Sequence, residues 1–86
     1  MLELKENQDV LVTYSMLTHR KNQTIYTVYI NDVDNVSHIL RLGRNQTDIF
    51  KNVVRAKFID KTEKGCRIKI EDKIIEIYEN QIKEIF

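Results

Sequence analysis

Between residues 53 and 71 the chain reads VVRAKFIDKTEKGCRIKIE, and apolar and basic side chains take turns in both halves of that stretch. Val54, Ala56 and Phe58 are interleaved with Arg55 and Lys57; Cys66, Ile68 and Ile70 are interleaved with Arg67 and Lys69. In a β-strand successive side chains point to opposite faces, so each half predicts a strand with one buried face. The polar residues 60–65 predict the turn between them. Any register that keeps the two apolar sets together gathers Arg55, Lys57, Arg67 and Lys69 on the opposite face. Like charges across a strand pair repel, so the arrangement requires carboxylates from a neighbouring element or an anionic partner.

The following residues extend the pattern. Glu71-Asp72-Lys73 predicts a tight turn that returns residues 66–71 onto 73–79. Pairing Ile68 and Ile70 with Ile75 and Ile77 sets Glu76 opposite Arg67 or Lys69 and answers one of the four charges. Upstream, Ile49, Phe50, Val53, Val54 and Lys57 also fit helical spacing, with Thr47 or Asp48 as the N-cap. The β-branched Val53-Val54 pair and the alternation that follows favour a strand from about residue 53, with a looser or helical approach before it.

Residues 9–17 and 24–31 predict a first hairpin. Val10, Val12, Tyr14 and Met16 form one side of its first strand, and Tyr26, Val28 and Ile30 face them. The other side carries Leu11, Leu17, Ile25 and Tyr29 among threonines and a serine, so it needs a cover as well. That cover is another strand of this chain, from residues 2–5 or 36–42, or it is a partner protein or second copy. Asn31-Asp32-Val33-Asp34-Asn35 signals a turn without glycine or proline. Residues 36–42 suit a strand, or a short helix capped by Asp34 or Asn35.

Eighty-six residues support one domain, residues 1–86, with a single core. The net charge of +1 conceals an uneven distribution: residues 41–69 carry nine basic residues against three acidic ones, and residues 70–86 carry five acidic against two basic. No apolar run approaches the length of a membrane span, and carboxylates at Glu3 and Glu6 interrupt the place where a secretory signal needs an apolar core. A cytoplasmic protein without a membrane partner is expected. The lone Cys66 falls on the inward face of its strand and reads as a buried small residue. The proline-free composition, rich in Ile, Lys and Asn, is what AT-rich genomes encode, as in low-GC bacteria and their phages.

Together these readings predict a mostly β fold: a small antiparallel barrel of five or six strands, SH3-like or partly open, with a short helix near 35–52. The alternative is α+β, a helix packed on an antiparallel sheet. The polar turn Glu79-Asn80-Gln81 followed by the brief strand Ile82-Lys83-Glu84-Ile85-Phe86 resembles the last turn and strand of small SH3-like barrels, over the final third of the chain.

Catalytic chemistry finds little to build on. Gly43 and Gly65 are too few for a phosphate-cradling loop, and Gly65 is expected to close the 60–65 turn at positive φ. His19, His38 and Cys66 are too dispersed for a metal site, and Asp32-Val33-Asp34 lacks the third oxygen ligand and the glycine of a calcium loop. Ser37 and His38 are neighbours that point to opposite faces of a strand. No cofactor, no metal and no enzymatic activity are expected. The leading expectation is nucleic-acid backbone binding through Arg55, Lys57, Arg67 and Lys69, flanked by Lys61, Lys64 and Arg44. The alternative is a protein-interaction or inhibitor module, of the kind phages and mobile elements carry as accessory proteins. It would act through Leu11, Leu17, Ile25 and Tyr29 and the sheet edges.

Overall fold

The alternation at 53–71 becomes the centre of the molecule. In the computed structural model, which describes residues 4–22 and 24–85, β6 (Val53–Lys61) and β7 (Cys66–Ile70) pair antiparallel, and β7 pairs with β8 (Lys73–Ile77). On its other edge β6 takes β1 (Asp9–Thr13), with Val10 opposite Ala56 and Val12 opposite Val54. β1 in turn pairs with β9 (Ile82–Ile85), so the larger sheet runs β8-β7-β6-β1-β9. The two-residue β5 (Thr47–Asp48) adds to the start of β6.

A second sheet of three strands has β3 (Ile25–Asn31) at its centre, between β2 (Met16–Thr18) and β4 (Ser37–Gly43). The inward residues of both sheets meet in one core. Val10, Val12, Val54, Ala56, Phe58, Ile68, Ile70, Ile75 and Ile77 come from the larger sheet, and Tyr26, Val28, Ile30, Leu40 and Leu42 from the smaller. Face-to-face packing of two antiparallel sheets explains why strands of such short length suffice: each buries alternate residues against the other layer.

The mostly β, antiparallel expectation therefore holds, with three differences. Among the described residues no strand pairing joins the two sheets, so closure into a barrel is not shown. The helix near 35–52 and the α+β alternative give way to β4, β5 and a three-residue 3-10 turn, Arg44–Gln46. No helix among the described residues is long and apolar enough to cross a membrane. The first hairpin also forms differently. Residues 9–13 join the larger sheet, and only Met16–Thr18 pair with β3, opposite Tyr29, Val28 and Thr27. The chain changes sheets at Tyr14-Ser15, where the Ser15 N–H and hydroxyl both bond the Tyr29 carbonyl at 2.8 and 2.9 Å. That crossing inverts the alternation, so Leu17 packs toward the core and Met16 faces outward.

Turn chemistry without proline rests on asparagine. Asn7, Asn22, Asn35 and Asn52 all have positive φ, between 58 and 69°, a region Asn tolerates better than most residues. Glu71, at φ 55°, is the remaining case, in the two-residue turn between β7 and β8. Neither glycine has positive φ, which corrects the expectation for Gly65. What that position requires is space: a Cβ there would lie 2.0 Å from the Ile77 carbonyl oxygen. The turn is closed by the Gly65 N–H donating to Thr62 Oγ1 and the Thr62 N–H donating to the Gly65 carbonyl.

Gly65→Ala must push β8 away from β7, and is expected to cost about 2–3 kcal/mol in a urea melt, against less than about 0.5 kcal/mol for a surface change such as Lys73→Ala. A near-neutral Gly65→Ala would contradict the close approach.

Candidate functional site

The two sheets present chemically different outer faces. On the larger sheet, Arg55, Lys57, Arg67 and Lys69 are all exposed, and Lys57 lies directly across from Lys69. The expected basic face is therefore present in outline. Its charges are answered more fully than alternation implies, and the reason is a β-bulge. Between Phe58 and Asp60 the β6–β7 register shifts by one, so that Asp60, and not Ile59, stands opposite Arg67. Arg67 donates from Nε to Asp60 Oδ1 at 2.7 Å, and its second nitrogen bonds Oδ2, a bidentate pair. This pairing holds the Asp60 carboxyl below the usual carboxylate range and raises the guanidinium. Glu76 of β8 stands opposite Arg67, one of the two positions that the hairpin reading allowed.

The other cations are distributed likewise. Lys57 Nζ donates to Asp9 Oδ1 at 3.0 Å, Lys64 reaches Asp34 at 3.0 Å, and Lys61 lies 3.6 Å from Glu79. The expectation that Arg55, Lys57 and at least one of Arg67 and Lys69 share this face without internal partners is thus corrected at Lys57, which is bonded to Asp9, and at Arg55, which is also engaged. Lys69 and Arg44 make no ion pair among the described residues. Arg44 stands on the 3-10 turn beside β5, and a cavity of about 750 Å³ has both Arg44 and Arg55 in its wall.

On the smaller sheet the outer face is apolar in its middle. Register places Met16, Tyr29 and Ile39 in one row across β2, β3 and β4, with Thr18, Thr27 and Arg41 in the next. Met16 is 50% exposed, Ile39 56%, and Ile25, on the same face of β3, 52%. Of the four interface candidates, Ile25 and Tyr29 share this surface. Leu17 does not, because it points into the core, and Leu11 does not, because it lies on the larger sheet between Arg55 and Glu84 and is buried. Met16 and Ile39 were missed by the sequence reading. The signal for Ile39 was present as an apolar residue out of phase with Leu40 and Leu42; Met16 was hidden by the change of sheet.

Polar groups elsewhere serve the fold. Asp32 Oδ1 accepts the N–H groups of Asp34 and Val36, both at 2.9 Å, and its Oδ2 lies 2.8 Å from His38 Nε2. The turn expected for this segment is thus an Asx turn, with His38 locking it to β4. The turn is tied to the opposite sheet by the Val33 N–H donating to the Glu76 carbonyl and by Tyr78 Oη donating to the Val33 carbonyl, both at 3.0 Å. His19 packs its ring 4.6 Å from Tyr26. Cys66 is buried, and burial, followed by Glu79, pushes its thiol up to about 11. Among the described residues no three His, Cys, Asp or Glu side chains converge as a metal site.

Two outcomes follow. Cys66 should react negligibly with a thiol reagent at pH 8 in the native protein and stoichiometrically once the chain is unfolded in denaturant. Asp32 is held below its ordinary range first by the His38 hydrogen bond and then by the backbone N–H groups. Its folded value lies below its unfolded one, so its contribution is complete above the unfolded carboxylate range and is lost as pH falls through the folded value. Asp32→Ala should lower stability by about 1–2 kcal/mol at neutral pH, and its melting temperature should fall less steeply than the wild type's on acidification below pH 4. No family model matches this chain, and no curated protein or solved structure shows significant similarity to it.

Proposed function

We propose that this protein is a non-enzymatic binding module that recognises another protein through the outer face of β2-β3-β4. The observation that carries this reading is the row Met16–Tyr29–Ile39, extended by Ile25: side chains half or more exposed at three of the four positions, on one rigid three-stranded surface. Apolar residues gathered on one face mark interaction surfaces more reliably than the same residues scattered singly. Arg41 and the two threonines of the adjoining row supply a polar rim. The non-enzymatic reading is supported by the engagement of the reactive groups: His38 is held by Asp32, and the Cys66 thiol is buried.

The arrangement of β9-β1-β6-β7-β8, with a 3-10 turn at Glu79–Gln81 before the last strand, supports an SH3-like reading in which β2 to β5 form a long excursion between the first two barrel strands. The buried free thiol suits a reducing compartment such as the cytoplasm. An accessory role, in a phage or low-GC bacterium, fits the composition.

Ile25→Lys together with Ile39→Lys should leave the melting temperature nearly unchanged, because both residues are exposed. Wild-type protein should then either self-associate in sedimentation velocity or retain a partner from a lysate of its own cells, and the double variant should lose that association. A monomeric wild type that retains nothing, or a double variant that associates as the wild type does, would overturn the proposal.

A further inference from the structure

Beside the outer face of the larger sheet are two cavities, of about 750 and 330 Å³, that share Arg55 and Gln46 in their walls; Tyr26 of β3 also lines the larger. They are neighbours on one track, with Arg55 at the junction. On one side the larger cavity adds Arg44, Lys51 and Phe50; on the other the smaller adds Asn7, Lys57 and Lys69. Phe50 is 93% exposed. It is nonetheless held in a defined turn, since Asp48 Oδ1 accepts the N–H groups of Phe50 and Lys51 at 3.0 and 3.1 Å.

Four carboxylates also face the track: Asp48, Glu84, Asp9 and Glu71. Asp48 is engaged by the turn, Glu84 lies 3.6 Å from Lys51, and Asp9 is bonded to Lys57. Arg44 and Lys69, one in the wall of each cavity, have no carboxylate partner among the described residues, and Glu71 beside Lys69 is itself exposed. Lys69 stands across from Lys57, two residues along β6 from Arg55, so Arg55 and Lys69 are diagonal neighbours about 7–8 Å apart, comparable to one nucleotide step in an extended single strand.

We propose that this track binds single-stranded nucleic acid, with Arg44, Arg55 and Lys69 on successive phosphates and Phe50 stacked on one base. A guanidinium accepts phosphate through paired hydrogen bonds, and an aromatic ring offers a face to any unpaired base without regard to sequence. A duplex keeps its bases stacked inside and leaves Phe50 nothing to meet. The amides of Asn7, Asn45 and Gln46 line the same cavities and can bond base edges or sugar. Met16, Ile25, Tyr29 and Ile39 line neither cavity, so the site is separate from the apolar face.

Fluorescence anisotropy of a labelled oligo-dT decamer, an oligo-U decamer and a duplex of equal length tests this on the full chain, between about 25 and 150 mM salt. At least one single strand should bind more tightly than the duplex, with a log–log salt slope of about −2 for three phosphates; the tighter of the two assigns DNA or RNA. Phe50→Ala should weaken single-strand binding at least about fivefold and leave the slope unchanged. Lys69→Gln and Arg44→Gln should each reduce the slope by about 0.7. All three residues are exposed, and a thermal melt of each variant separates lost binding from lost folding. No binding of either strand at the lowest salt, a preference for duplex, or a Phe50→Ala variant that binds as the wild type does would each overturn the proposal.

Discussion

Strand β6 is hydrogen-bonded along both edges, to β1 on one and to β5 and β7 on the other, and its inward residues Val54, Ala56 and Phe58 lie in the middle of the core. A strand so enclosed has one tolerable phase, because a slip by one residue would bury Arg55 and Lys57. The neighbours inherit that phase through the ladder. Val10 and Val12 meet Ala56 and Val54, Ile68 meets Phe58, and Ile75 meets Ile68. The smaller sheet then has a nearly continuous apolar surface to lie against, and Val28, Ile30, Leu40 and Leu42 are buried on it.

That single constraint sends Arg55, Lys57, Arg67 and Lys69 outward, and the surface must then accommodate them. It does so locally. The bulge after Phe58 delivers Asp60 to Arg67, Asp9 of the neighbouring strand meets Lys57, and the hairpin turn of the other sheet lends Asp34 to Lys64. Pairs of this kind on a surface contribute modestly to stability. Their larger effect is on recognition, because a cation already beside a carboxylate offers less to an anionic ligand. On this side the cations without a carboxylate partner among the described residues are Arg44 and Lys69, one in the wall of each cavity that Arg55 lines.

The smaller sheet is under the opposite regime. Its inner face is covered by the larger sheet, while on the outside Met16 and Ile39 stay half or more exposed beside a half-buried Tyr29. A two-layer sandwich has two outer faces, and here one is charged and largely self-neutralised while the other is apolar at its centre. This division underlies both proposed binding surfaces, one for protein and one for a single strand.

Much of this was legible in the residues. The β6–β7–β8 meander, the Asx turn at Asp32, the burial of Cys66 and the position of Glu76 all follow from period-two alternation and from local turn chemistry, which act over neighbours in sequence. The misplaced features share a different character. Leu17 was assigned outward and Met16 inward because alternation was carried through Tyr14-Ser15, where the chain in fact leaves one sheet for the other. The Asp9 partner of Lys57 comes from a strand distant in sequence, and the Asp60 partner of Arg67 depends on a bulge that leaves no compositional mark. The proximity of Arg44 and Phe50 to Arg55 depends on β5 docking against β6. Side-chain period is a property of the backbone and can be read along the chain; the choice of sheet, the bulge and the juxtaposition of distant loops are settled only when two apolar faces close on each other, since only that closure selects among registers of nearly equal local energy.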